Sequence, residues 1–290
     1  MTAVPTTPTA TATAPMAAER SRWARALRHP ETIAGITLVA VLFALGFLAP
    51  WTAPYGVDAQ SGDSFAGVSS AHLLGTDEFG RDVFSRVLYG IRQDVVVAGA
   101  AVPLGALLGT LLGLLCGLHR FVDSIVQRLF DVMLAFTALV LGVAVSATAI
   151  GPGMMAITVT VVLVNVPVFG RLTRSAVRSQ RGRDYVVAAE VVGAGRARVL
   201  LRHILPNALD ALIVQAALSL SMAVFIEGAM SFVGIGIRPP APSLGSLLRT
   251  SASFLNQNQW YALGPIVVVT ALVLGFNLIA DGLNRGLLRR

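Results

Sequence analysis

The side chains here that can do chemistry are few, and their spacing excludes more than it offers. All 22 basic residues are arginine, and lysine is absent. A phosphate-gripping G-x-x-x-x-G-K-[ST] loop needs that lysine, and so does Schiff-base catalysis. His29, His72, His119 and His203 are scattered, with no spacing that would let two of them hold one metal ion. The single cysteine, Cys116, lies in an apolar run and has no partner for an intrachain disulfide. The serines of "APSLGSLL" have no positioned base within the apolar runs, so a serine nucleophile would stay unactivated. Two acids are more pointed. Glu227 ends an apolar run, where a solvated or capping role is expected ahead of a gate or a contact with a substrate amine. Ser231 and Phe232, one turn on, belong to the same candidate path or gate. Asp131, three residues after Arg128, is expected in an ion pair at the end of a span.

The elements that position these residues follow from composition. The chain has 290 residues, 55% hydrophobic and 13% charged, with a mean hydropathy of +0.73. A soluble domain carries about 25% charged residues, so the class is integral membrane protein, all-α and polytopic. Apolar runs near 32–50, 95–118, 131–150, 154–172, 206–228 and 262–281 are each long enough to cross a bilayer, predicting six spans. "GPG" at 151–153 is a tight turn between the third and fourth. Residues 1–30 form a basic tail expected to be disordered, its Thr/Pro/Ala tract lacking apolar periodicity, and residues 31–290 form the membrane domain. Six spans put both termini on one side, where 17 arginines fall against 5 opposite, which predicts cytoplasmic termini. Arginines spread over loops in this way argue against nucleic-acid binding. Phe79, Val83, Val87 and Ile91 recur every four residues, predicting an interfacial amphipathic helix before the second span.

One segment is out of character with its apolar surroundings: "DYVVAAEVVGAGRARVLLRHILPNAL" at 184–209. Tyr185, Ala188, Ala189 and Val192 share one helical face, and the alanines let another surface approach closely. Gly193 and Gly195 end that helix, Gly193 with φ above zero. Val199, Leu200 and His203 continue on a second short helix, and Pro206 suits the first turn of the next span. Physics alone leaves two readings: a helix lying on the membrane surface, or a lever joined to a span at each end. Arg171, Arg174 and Arg178 form a basic stripe nearby, suited to anionic lipid headgroups or to a partner protein.

This segment resembles the EAA loop of binding-protein-dependent ABC importer permeases, whose pattern is E-A-A-x-x-x-G, nine residues, then I-x-L-P. Ala188, Ala189, Gly193, Leu205 and Pro206 fall on it, while Val187 stands in the acid's place and His203 in the isoleucine's. Asp184 and Glu190 flank that site. "LGTDEFGRDVFSRVLYG" at 74–90, "EGAMSFVGIGIRPPAPSLGSLL" at 227–248 and "NLIADGLNRGLL" at 277–288 are similar to segments of the dipeptide/oligopeptide permease C-type subunits. The resemblance implies a type I ABC importer transmembrane fold in a bacterial cytoplasmic membrane. Its coupling loop would span about 173–205, with Asp184, Tyr185, Ala188, Ala189, Glu190, Gly193, Ala194, His203 and Pro206 contacting an ATPase. It implies as partners a second homologous permease, two cytoplasmic ATPases and an extracytoplasmic binding protein. ATP and Mg would be bound by the ATPases, and this chain would carry no cofactor. Di- or oligopeptides are the implied cargo, with nickel or another small solute as the alternative. A secondary transporter would need ionisable residues buried at mid-span or an inverted repeat, and the sequence displays neither.

Overall fold

The computed structural model describes residues 22–180, 183–238 and 240–287, apart from the side chains of Val187 and Glu190. Five helices are long and apolar enough to cross a membrane. They are α1 (Pro30–Phe47), α2 (Val83–Leu118), α5 (Met154–Gln180), α7 (Leu205–Val233) and α9 (Trp260–Leu287). Two further pieces, α3 (Arg120–Ala135) and α4 (Ala138–Ser146), are apolar enough together to count as a sixth crossing if the pair is one span, but they are bent by 93°. The helix α6 (Asp184–Val191) lies between α5 and α7, and α8 (Leu244–Ser253) lies between α7 and α9. Among the described residues, β pairing is limited to two isolated bridges, Gln60–Arg81 and Thr76–Asp82. The all-α, polytopic reading holds.

The bundle is organised around close helix approaches. Gly105, Gly109, Gly113 and Gly117 recur every four residues on α2 and face α5. A Cβ on Gly105 would lie 2.7 Å from the Asn165 Cβ, and one on Gly113 would lie 2.7 Å from the Thr173 Cβ. In a lipid environment, where apolar burial drives helices together only weakly, such small-residue stripes let backbones pack closely. Gly35 on α1 meets Gly275 on α9 in the same manner.

Several sequence expectations need correction. The third span is not a straight helix over 131–150. At the break Phe136 is extended, and the Thr137 hydroxyl accepts a hydrogen bond from the Val140 amide, 3.4 Å away. That hydroxyl starts a new helix in another direction. The amphipathic helix before the second span is not separate either. Val83, Val87 and Ile91 are buried residues of α2 itself, while Phe79 precedes its N-cap, Asp82, and is 55% exposed. Residues 22–27 of the basic tail are helical, and Ala26 is fully buried against Val214, Leu283 and Leu287. Residues 1–21 lie outside the described residues.

The bundle has two unlike ends. One holds segment 53–82, the 147–153 turn with Gly151 at φ +68°, and the segment after α7. There "LGTDEFGRD" folds on itself. Gly75 and Gly80 take φ of +75° and +72°, and fully buried Asp77 accepts from the Phe79 and Arg81 amides, both at 2.9 Å. Its other oxygen takes the Arg81 Nε at 2.6 Å. Asn258 and Tyr261 clip this segment to α9 by donating to the Thr76 carbonyl and to Glu78. We call this the capped end. The other, the basic end, carries Arg120, Arg174, Arg178 and the polar segment between α5 and α7.

Candidate functional site

The loop between α5 and α7 is built from local signals. After α6, the chain closes in a glycine-terminated cap: Gly193 has φ +87°, and the Ala194 amide donates to the Ala189 carbonyl at 3.0 Å. This six-to-one bond around a left-handed residue is the Schellman arrangement. Ala189 and Ala194, the two residues it joins, both pack against one apolar cluster. Gly195 has φ −63° and serves as N-cap of the turn Arg196–Val199, so only Gly193 is needed for its conformation.

The second half differs from the expectation of a short helix followed by a fresh span. Residues Arg196–Val233 run on as one helix of 38 residues, with a π turn at Leu200–Ile204. The Leu205 amide reaches back to the Leu200 carbonyl. Pro206 follows at the first turn of α7, and Asn207 Nδ2 donates to the His203 carbonyl at 2.7 Å. The helix widens just before Pro206, which has no amide to donate to the preceding turn.

Val186 is the most deeply buried of the described side chains of α6. It is 1% exposed and packs among Leu114, Val177, Val199, Leu200 and Ile204. Tyr185, 37% exposed, donates its hydroxyl to Gln180 Oε1. Asp184 and Ala188 are exposed, as are Val191 and Val192 at 81% and 88%. Ala188, Ala189, Gly193, Ala194 and His203 border one shallow depression of about 460 Å³ with Val192 and Arg198. Pro206 is exposed on the helix leading away. The fold thus brings most of the sequence-predicted coupling residues to one surface. The Glu190 side chain lies outside the described residues, as does that of Val187.

The arginine stripe is largely neutralised. Arg171 reaches Asp131 at 2.5 Å, while Arg174 and Arg178 both bind Asp123. Asp131 therefore finds its partner across the bundle on α5, and not in Arg128 one turn away.

At the capped end, the expectation for Glu227 fails. It is fully buried inside the bundle, neither solvated nor at a helix end. Its neighbour is Asp94 of α2, also fully buried, a residue that sequence reading missed because it stands among charged and polar neighbours ahead of the apolar run. Ionisable groups therefore do lie buried within the spans. Ser231 donates to Glu227 Oε1 at 2.7 Å and accepts from the Ile237 amide at 3.3 Å. Both Asp94 oxygens and Glu227 Oε2 lack a donor among the described residues. Two abutting carboxyls of this kind hydrogen-bond only through a proton carried by one of them. Helix α8 lies over the pair. Its Ser243–Ser246 capping box starts the helix, and a Cβ on Gly245 would sit 2.8 Å from the Gly228 Cα. Phe232 is 48% exposed and points away from this knot. Of the candidate gate residues, Glu227 and Ser231 are brought together and Phe232 is not.

Comparison with known proteins agrees with this architecture. Residues 109–290 match the family described as binding-protein-dependent transport system inner membrane component. The chain is 37% identical over 284 residues to the dipeptide transport system permease protein DppC of Escherichia coli (strain K12), covering 94% of this chain and 93% of that protein. It is 35% identical to the protein of the same name from Alkalihalophilus pseudofirmus, covering 92% and 90%. To the glutathione transport system permease protein GsiD of Pectobacterium atrosepticum it is also 35% identical, with the same coverage. The helix bundle, its polar loop and the near full-length similarity together place the chain in the family of binding-protein-dependent transport system inner membrane components, with the type I ABC permease fold.

Proposed function

We propose that this chain is one permease subunit of an ATP-driven importer that takes up di- or oligopeptides delivered by an extracytoplasmic binding protein. The observation that carries the reading is the loop at 184–206. It presents small, exposed residues on a rigidly capped helix and ties them, through Val186 and an unbroken helix, to α2, α5 and α7. A second homologous permease completes the path, and two cytoplasmic ATPases dock on the α6 surface. Closure of the ATPases on ATP and Mg then pushes α6, and the push turns α5 and α7 against α2. Hydrolysis belongs to the partners, which fits a chain without lysine. The peptide assignment is supported by relatives named for dipeptide transport. The relative named for glutathione transport makes another small solute the second reading, in the same architecture. The knot around Glu227 acts as part of the outer gate and, being buried, holds the gate together without touching solute in this conformation.

The basic end faces the cytoplasm of a bacterial cell in this reading. Gly195→Cys should be shielded from an impermeant thiol reagent in intact cells, while Gly62→Cys and Asn256→Cys should label; native Cys116 is buried and stays silent. Labelling at 195 from outside would overturn the orientation. The purified chain should show no ATPase activity, and co-expression with its partners should confer peptide uptake that depends on the binding protein. Uptake of glutathione or nickel but not of peptides would replace the assigned solute and leave the architecture standing.

A further inference from the structure

A second cavity at the basic end, of about 470 Å³, lies inside the joint between the coupling loop and the spans. Its size falls within the roughly 300–1,000 Å³ typical of small-molecule sites. Four guanidinium groups border it: Arg120 at the start of α3, Arg174 and Arg178 on α5, and Arg196 after the glycine turn. One acid, Asp123, shares the lining and is already taken by Arg174 and Arg178. Arg120 and Arg196 have no carboxylate within ion-pair distance among the described residues. The rest of the wall is largely apolar, with Leu118, Val186 and Leu200 at its base.

A planar guanidinium presents paired donors that match a phosphate or carboxylate. Four guanidinium groups against one carboxylate leave three positive charges in excess on this wall, which call for an anion. A small inorganic anion would leave the apolar base in contact with water, whereas an amphiphile covers both. We propose that this cavity binds a phosphate-bearing anion through Arg120 and Arg196, and that the source is an anionic glycerophospholipid with its apolar part against Leu118, Val186 and Leu200. The occupant would touch α2, α3, α5 and the coupling helix together, and so stiffen the joint that carries motion between them. Binding of this kind stands independently of which solute the transporter carries.

The test uses the full-length chain, purified and stripped of lipid, with phosphatidylglycerol, zwitterionic phosphatidylcholine or inorganic phosphate as probes. Native mass spectrometry should show phosphatidylglycerol retained on the wild type well above phosphatidylcholine. The Arg120→Gln/Arg196→Gln pair should lose at least about fivefold of that preference, roughly 1 kcal/mol. An Arg198→Gln/Arg202→Gln pair, equal in charge lost and outside the cavity, should keep it. Should the first pair prove unstable, the wild type alone decides. Its preference should weaken between about 0.1 and 1 M salt as the headgroup contact is screened. Equal retention of the two lipids, a preference that survives in the first pair, or one lost equally in the control pair would overturn the site. Inorganic phosphate that displaces phosphatidylglycerol at millimolar concentration would overturn the lipid source.

Discussion

At the capped end, the irregular chain is held largely by buried polar groups. Asp77 takes two amides and the Arg81 guanidinium while fully buried, and Asp94, Glu227 and Ser231 interlock beneath α8. At the basic end, α6 is held to the bundle by Val186, by the half-buried Ala189 and by the Tyr185 hydroxyl, while Asp184, Ala188 and Val191 face outward. The two ends therefore store stability differently. Buried polar networks resist small displacements, because each unpaired group costs about 1–3 kcal/mol. A small apolar contact tolerates rolling and sliding. On the proposed function, an importer that keeps one side sealed and the other responsive needs this asymmetry, and mutations can break it from either side.

The largest effect is expected from Asp77→Ala. It removes the acceptor of two amides, one of the two acids on half-buried Arg81 and the acid beside buried Arg86, and should cost about 3–5 kcal/mol, seen as a fall in unfolding midpoint and yield in detergent. Gly245→Val comes next. Its side chain would drive into the Gly228 backbone, costing about 3 kcal/mol by overpacking, by the same measurement. Asp94→Ala should lose about 1–3 kcal/mol by leaving Glu227 with fewer partners. Asp94→Asn, whose amide can donate to Glu227, should recover most of that loss. Equal destabilisation by the two substitutions would show that the carboxyls do not bond each other.

The smallest effect on stability is expected from Gly193→Val, and it sharpens the comparison most. A β-branched residue at φ +87° costs about 1–3 kcal/mol locally, in a cap outside the spans. A Cβ there meets nothing within 4 Å, so the effect is one of backbone conformation alone. Membrane abundance should stay near normal, while uptake and binding-protein-stimulated ATP hydrolysis fall on the order of tenfold or more. Normal uptake at normal abundance would return α6 to the role of a helix lying on the membrane.

Much of this arrangement was legible in the residues themselves. Apolar length gave the straight crossings, because lipid leaves a backbone no alternative to internal hydrogen bonds. Glycine and proline, whose effects are local, marked the cap at Gly193 and the start of α7 at Pro206. The bend at Thr137 was not legible, since a hydroxyl that caps a helix and one that rides inside it look alike in sequence. The fate of the charges was not legible either. Whether Glu227 meets water or Asp94, and whether Asp131 meets Arg128 or Arg171, depends on how α2, α5 and α7 are rotated about their axes. That rotation is set by the glycine stripe on α2 and by the approach of α8 at Gly245, contacts between segments far apart in the chain. The sequence by itself determined which long apolar segments can cross a membrane and where α6 ends. Only the tertiary structure decided which acids are buried, which arginines are paired and which valine of α6 is buried, because side-chain partners are chosen by packing across helices and not by spacing along one.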